Sequence, residues 1–124
     1  MVGININCSE KDYCEMILSR QKKYETRDSD SLDPYLGKWV GLIKTGCGQA
    51  MLVGYAYIGK HKRIVDDVET FRKLYDLHKV EPGSKYDIKR TGNKRLYWIG
   101  EVKRCKPTPI YTKGIIARQI TCTK

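Results

Sequence analysis

Lys22, Lys23, Glu25 and Arg27 crowd four ionisable side chains into six residues. If this stretch is extended, strand alternation sends Lys23, Glu25 and Arg27 to one face and Tyr24 and Thr26 to the other. A cation–carboxylate–cation row of this kind can hold a phosphate with its outer members, while the carboxylate orients them or accepts a hydrogen bond from a base edge. The same spacing also describes an exposed salt-bridge ladder of small energetic value.

A second cluster lies near the C-terminus. Tyr97 and Trp98 stand among Lys94, Arg95, Lys103, Arg104 and Lys106, an interleaving suited to stacking on bases while neighbouring cations take phosphates. Trp98 also alternates with Leu96, Gly100 and Val102, the pattern of a core residue. Lys60-His61-Lys62-Arg63 follows a strand-like run and reads either as a phosphate-contacting rim or as a solvated loop. Thr45-Gly46-Cys47-Gly48 can turn backbone amides toward an anion, yet it lacks the length and lysine of a phosphate-binding loop.

The five cysteines, Cys8, Cys14, Cys47, Cys105 and Cys122, are odd in number, dispersed, and never spaced as a metal or redox pair. Reduced, mostly buried thiols are expected, with no metal site and no cofactor. The balance of 24 Lys and Arg against 14 Asp and Glu gives a net charge of +10, suited to a polyanion and to nucleic acid first. No apolar run approaches the roughly 20 residues needed to span a bilayer. A soluble, cytoplasmic protein without a membrane partner is expected.

These side chains need elements to position them. Ser9 and Asp12 open a capping-box-like start, and Tyr13, Met16 and Ile17, with the Cys14–Leu18 pair, follow at helical spacing, which predicts a helix from Ser9 to Ser19. A short strand is expected from Lys23 to Arg27, then a loop rich in Asp and Ser to Gly37, a natural wall for a cleft. Runs over 38–45 and 51–59, separated by Gly46-Cys47-Gly48, predict a hairpin, with Gly54 marking a bulge or a close approach of another backbone. A second helix is expected from Asp66 to His78, a strand from Arg95 to Cys105 ending before Pro107 and Pro109, and a last strand from Ile115 to Thr121. At 124 residues the chain has room for one core. The expected architecture is α+β: a small, mostly antiparallel β-barrel of five to six strands, with two or three helices on its rim, forming a single domain over 1–124.

The stretch from Met16 to Arg27 resembles the signature of ASCH domains in the PUA-like superfamily, whose pattern is G-x-K-x-x-E-x-R. Lys22, Glu25 and Arg27 match it position by position, and Arg20 stands where the family has glycine. A glycine there would permit a positive φ or close approach of a ligand; arginine implies an ordinary turn or a side chain that reaches the ligand. The resemblance continues through Gly37-Lys38-Trp39-Val40-Gly41 and Arg95-Leu96-Tyr97-Trp98-Ile99.

What the resemblance implies is a cleft between barrel and helix that binds RNA or a modified nucleoside. Arg20, Lys22, Tyr24, Glu25, Arg27, Tyr97 and Trp98 are then the candidate ligand residues. Some relatives remove the acetyl group from N4-acetylcytidine and others are described as ribonucleases, which makes hydrolysis the alternative activity. The amidohydrolase type uses a lysine and a threonine of the signature. Lys22 matches that lysine, but Glu25 occupies the threonine position and Thr26 lies one residue later. The catalytic candidates are therefore Lys22, stabilising an oxyanion, and Glu25, activating water.

Overall fold

The structure, a computed structural model, describes residues 1–120. Thr121, the end of the expected last strand, and Cys122 lie outside the described residues. In chain order the elements are β1 (Val2–Asn7), α1 (Tyr13–Leu18), β2 (Tyr24–Arg27), a 3-10 turn (Asp33–Tyr35), β3 (Trp39–Thr45), β4 (Met51–Val65), α2 (Val68–Lys73), α3 (Tyr75–His78), β5 (Lys94–Pro109) and β6 (Ala117–Gln119).

The strands form one sheet in the order β2-β5-β4-β3-β1-β6. All neighbours are antiparallel except β1 and β3, which run parallel. The architecture is thus the α+β, mostly antiparallel one expected, with an open sheet whose edges are β2 and β6. No helix among the described residues is long and apolar enough to cross a membrane.

One face of the sheet buries Ile4, Ile6, Val40, Leu42, Ala56, Ile58, Tyr97 and Ile99 under Ile17 and Leu18 of α1. At one end of the other face, Phe71, Val80 and Ile88 cover Val65 and Leu96. At its opposite end Ile43, Leu52, Ile110 and Ile120 pack together. The hairpin β3–β4 is present, and its register shifts where Leu42 faces Gly54 and Ile43 faces Leu52. A Cβ on Gly54 would lie 2.7 Å from the Lys103 carbonyl oxygen, the close approach that glycine allows.

Four expectations change. β1 was not anticipated, although Ile4 and Ile6 alternate with Gly3, Asn5 and Asn7 at the period of a strand. Helix α1 starts later than Ser9, because the Asp12 carboxylate, not the Ser9 hydroxyl, accepts the free amide of Glu15 at 3.0 Å. The basic run over 60–63 is no loop, since β4 continues through it to Val65. Nor do Pro107 and Pro109 end β5: β2 covers β5 only from Arg95 to Trp98, so the far half of β5 has a free edge, where proline's missing donor is tolerated.

Candidate functional site

The C-terminus of α1 delivers the chain to the site. Arg20 takes a left-handed conformation (φ 66°), its amide donates to the Ile17 carbonyl at 3.0 Å, and the Lys22 amide donates to Met16 at 2.8 Å. This is the helix-ending geometry that glycine normally serves. Arg20 therefore keeps the backbone conformation of the absent glycine. Its guanidinium donates to the Ile99 carbonyl at 3.1 Å, a bond that fixes the turn against β5. Arg20→Ala loses that bond and retains the strained φ, whereas Arg20→Gly loses the bond and relieves the strain. Urea denaturation should find the glycine variant more stable than the alanine variant by about 1 kcal/mol.

Beyond the turn, the Lys22 side chain is 1% exposed. Its ammonium donates to the His78 carbonyl at the end of α3 and lies 4.9 Å from the centre of the Tyr13 ring. It also stands 4.0 Å from Glu25 Oε1. Burial pulls Lys22 down to about 8, against the opposing pull of Glu25. His78 presents its carbonyl from a fixed ring: Nδ1 accepts from the Val80 amide at 2.9 Å, which leaves Nε2 to donate to the Phe71 carbonyl at 2.6 Å. Burial, helped by Lys22, lowers His78 to about 4, so the imidazole is neutral at physiological pH.

On β2, Glu25 Oε2 accepts from Arg27 Nε at 3.0 Å and lies 2.9 Å from its terminal nitrogen, which also donates to the Asn5 carbonyl at 2.8 Å. The ionic row is thus Lys22–Glu25–Arg27 and not Lys23–Glu25–Arg27. Lys22 enters from the turn, where alternation does not apply, while the Lys23 backbone bridges Leu77 and Ile99.

This row borders a cleft of about 430 Å³, within the size range of small-ligand sites. Lys94, 3% exposed and 2.7 Å from the Asp28 carboxylate, extends the row along the cleft. Asn5 and Asn7 from β1, Tyr13 from α1, Tyr86, and Arg118 from β6 complete the parts that matter chemically, and Thr26 borders it as well. Three buried side-chain atoms here have no hydrogen-bond partner among the described residues: Asn5 Oδ1, the Tyr13 hydroxyl and Arg118 Nε. Buried polar atoms are rarely left unsatisfied, and these three come together at one cleft.

Arg20, Tyr24, Tyr97 and Trp98 do not line this cleft. Tyr97 is fully buried, with its hydroxyl donating to Asp33 Oδ1 at 2.8 Å and held up at about 12 by burial. Trp98 is 39% exposed on the opposite side of the sheet, its ring 5.3 Å from that of Tyr24. The core reading of Trp98 fails for a tertiary reason. Leu96, on the same side, is covered by α2 and the residues around Val80, and that cover stops short of Trp98. Asn5, Asn7 and Arg118 were missed because β1 went unread, and the period-two run from Val2 to Asn7 was the signal available.

Compared with solved structures, the chain superposes with a TM-score of 0.70 on a serine-to-alanine variant of an ASCH protein from Zymomonas mobilis, covering 96% of this chain and 88% of that one at 15% identity. The fold is that of the ASCH proteins. A second structure of ASCH from Zymomonas mobilis agrees with a TM-score of 0.66 at 18% identity, over 87% of this chain and 73% of the other. No family model matches the sequence, and no curated protein matches it. Within this ASCH fold the residues of the signature, Lys22, Glu25 and Arg27, share one ionic row at one cleft.

Proposed function

We propose that this ASCH-fold protein binds RNA or a modified nucleoside in the cleft at Lys22, Glu25 and Arg27. The observation that carries the reading is the trio of unsatisfied atoms, Asn5 Oδ1, the Tyr13 hydroxyl and Arg118 Nε, converging beside that row. Lys22, Arg27, Lys94 and Arg118 outnumber the carboxylates of Glu25 and Asp28 along the lining, which suits a phosphate. Asn5 and Asn7 offer amides for a base edge, and the Tyr13 and Tyr86 rings, 6.2 Å apart and edge-on, offer apolar walls. The net charge of +10 adds long-range attraction to a polyanion.

The test is salt-dependent affinity for single-stranded RNA. Arg27→Ala and Lys22→Ala should each weaken binding about tenfold or more and flatten its salt dependence. Arg118→Ala, which among the described residues breaks one side-chain hydrogen bond, from the guanidinium to the Thr112 carbonyl, serves as a third variant with little effect on the fold. Unchanged affinity in all three would sink the reading.

A second reading, hydrolysis of an acylated cytidine or of RNA, is favoured by one feature. Lys22, lowered to about 8, stands 4.0 Å from a carboxylate oxygen that Arg27 leaves unengaged. In that reading Glu25 takes a proton from water while Lys22 steadies the oxyanion. Turnover of N4-acetylcytidine or of labelled RNA that disappears in Glu25→Gln supports it. Turnover that survives the substitution removes Glu25 from the mechanism.

A further inference from the structure

The cleft uses one side of β2; the other side opens onto a different surface. Between the two apolar clusters of the outer sheet face lies a partly open aromatic stripe, of which Tyr24 packs against the first cluster. Trp39 of β3 pairs with Tyr57 of β4, their rings 6.1 Å apart. Trp98 of β5 pairs with Tyr24 of β2, their rings 5.3 Å apart and at 79°. Glycines stand beside both pairs: a Cβ on Gly100 would lie 3.1 Å from the Tyr57 ring, and one on Gly59 would lie 3.2 Å from Trp98 Cβ. Tyr57 and Trp98 therefore pack close to backbone that carries no side chain, and each meets its partner ring edge to face, at 63° for Trp39–Tyr57 and 79° for Tyr24–Trp98. Trp39 and Trp98 are 41% and 39% exposed, and they are both tryptophans of the chain.

The charges around the stripe have one dominant sign. Lys38 and Lys60 flank Trp39 and Gly59 in the chain, and Lys103 shares the outer face through its register with Tyr55. None of the three forms an ion pair among the described residues. Glu101, beside Gly100, supplies one opposing charge.

We propose that this stripe is a stacking platform for single-stranded RNA, separate from the cleft. Partly exposed rings spaced across strands, with lysines outside any ion pair of the described residues in the adjoining chain, match the two demands of an unpaired strand: ring faces for bases and cations for phosphates. A duplex, whose bases are already stacked, gains nothing from the rings. The choice of RNA as the polyanion rests on the reading of the cleft; the stacking chemistry does not. Tyr24 precedes Glu25 on β2, so a strand that turns around this edge could reach the stripe and the cleft together.

Because both indoles lie on the stripe, their fluorescence reports on it and not on the cleft. Titration with an oligouridylate should quench the emission, and a blunt RNA duplex of equal length should not. Trp98→Ala should weaken oligouridylate binding about tenfold, and Trp98→Phe should recover most of that loss. The cleft variant Arg27→Ala should keep the quenching amplitude even where its overall affinity falls. The proposal is overturned if Trp39→Ala and Trp98→Ala, shown folded by urea denaturation, bind as tightly as the unaltered protein while Arg27→Ala does not, which would leave the cleft reading intact. Equal quenching by duplex also overturns it. So does emission that shifts with protein concentration alone, which would mean that a second copy of the chain covers the face.

Discussion

Glu25→Ala should lower the unfolding free energy by about 3–5 kcal/mol at mildly acidic pH, because it removes the one carboxylate of a buried row and leaves two cations facing each other. The pair Arg27–Glu25 is closed by contacts of 2.9 and 3.0 Å, and Lys22 depends on the same carboxylate at 4.0 Å. Lys22 is already lowered to about 8, and without Glu25 it falls further. Deprotonation then gives the variant a way to relieve the repulsion. The loss should therefore be larger near pH 6 than near pH 9. Glu25→Gln, which retains an acceptor for Arg27, should recover part of it. Denaturant titrations at the two pH values decide the matter: a loss under about 1 kcal/mol at both would place the row with exposed ion pairs, where attraction and solvent screening nearly cancel.

That row was legible in the sequence only in part, and the reason is geometric. Glu25 and Arg27 lie two apart on a true strand, so alternation placed them together correctly. Lys22 lies in the turn ahead of it, and its direction is set by the left-handed Arg20 and the bond from its amide to Met16, neither of which alternation can foresee. The hairpin of β3 and β4 was readable because its pairing is local. The rest of the cleft depends on pairings between distant parts of the chain: β1 lies parallel to β3 and antiparallel to β6, and this brings Asn5 and Arg118 to the same opening. Tyr97 and Trp98 show the complementary limit. Their alternation was evident, yet which side of a sheet is covered depends on where α2 and α3 end. At Leu96 and Tyr97 both sides are buried, while at Trp98 one is open.

Lys22→Met should remove a contribution to stability that grows with pH in the unaltered protein between about pH 8 and 10. The folded-state value of Lys22 is about 8 against an ordinary 10.5. Within that window the unfolded chain holds the lysine proton and the folded chain does not, so stability increases with pH. Below pH 8 both states are protonated and the penalty of the buried ammonium is fully present. The interval corresponds to about 3 kcal/mol. Tyr13 and Tyr97, both held up at about 12, act in the opposite sense above about pH 10, and the thiols of Cys14, raised by its hydrogen bond to Cys8 and by burial, and of Cys105, raised by burial, do so from about pH 9, so the lysine is read from the difference between the two proteins. The difference between Lys22→Met and the unaltered protein isolates the lysine; parallel stability curves from pH 7 to 10 would refute the assignment. The same linkage reaches ligand binding. A phosphate beside Lys22 favours the protonated form, so affinity for RNA should fall as pH rises through 8, while Lys22→Met, weaker throughout, should show no such fall. A structural lysine out of reach of the ligand would change stability with pH and leave the pH dependence of binding untouched.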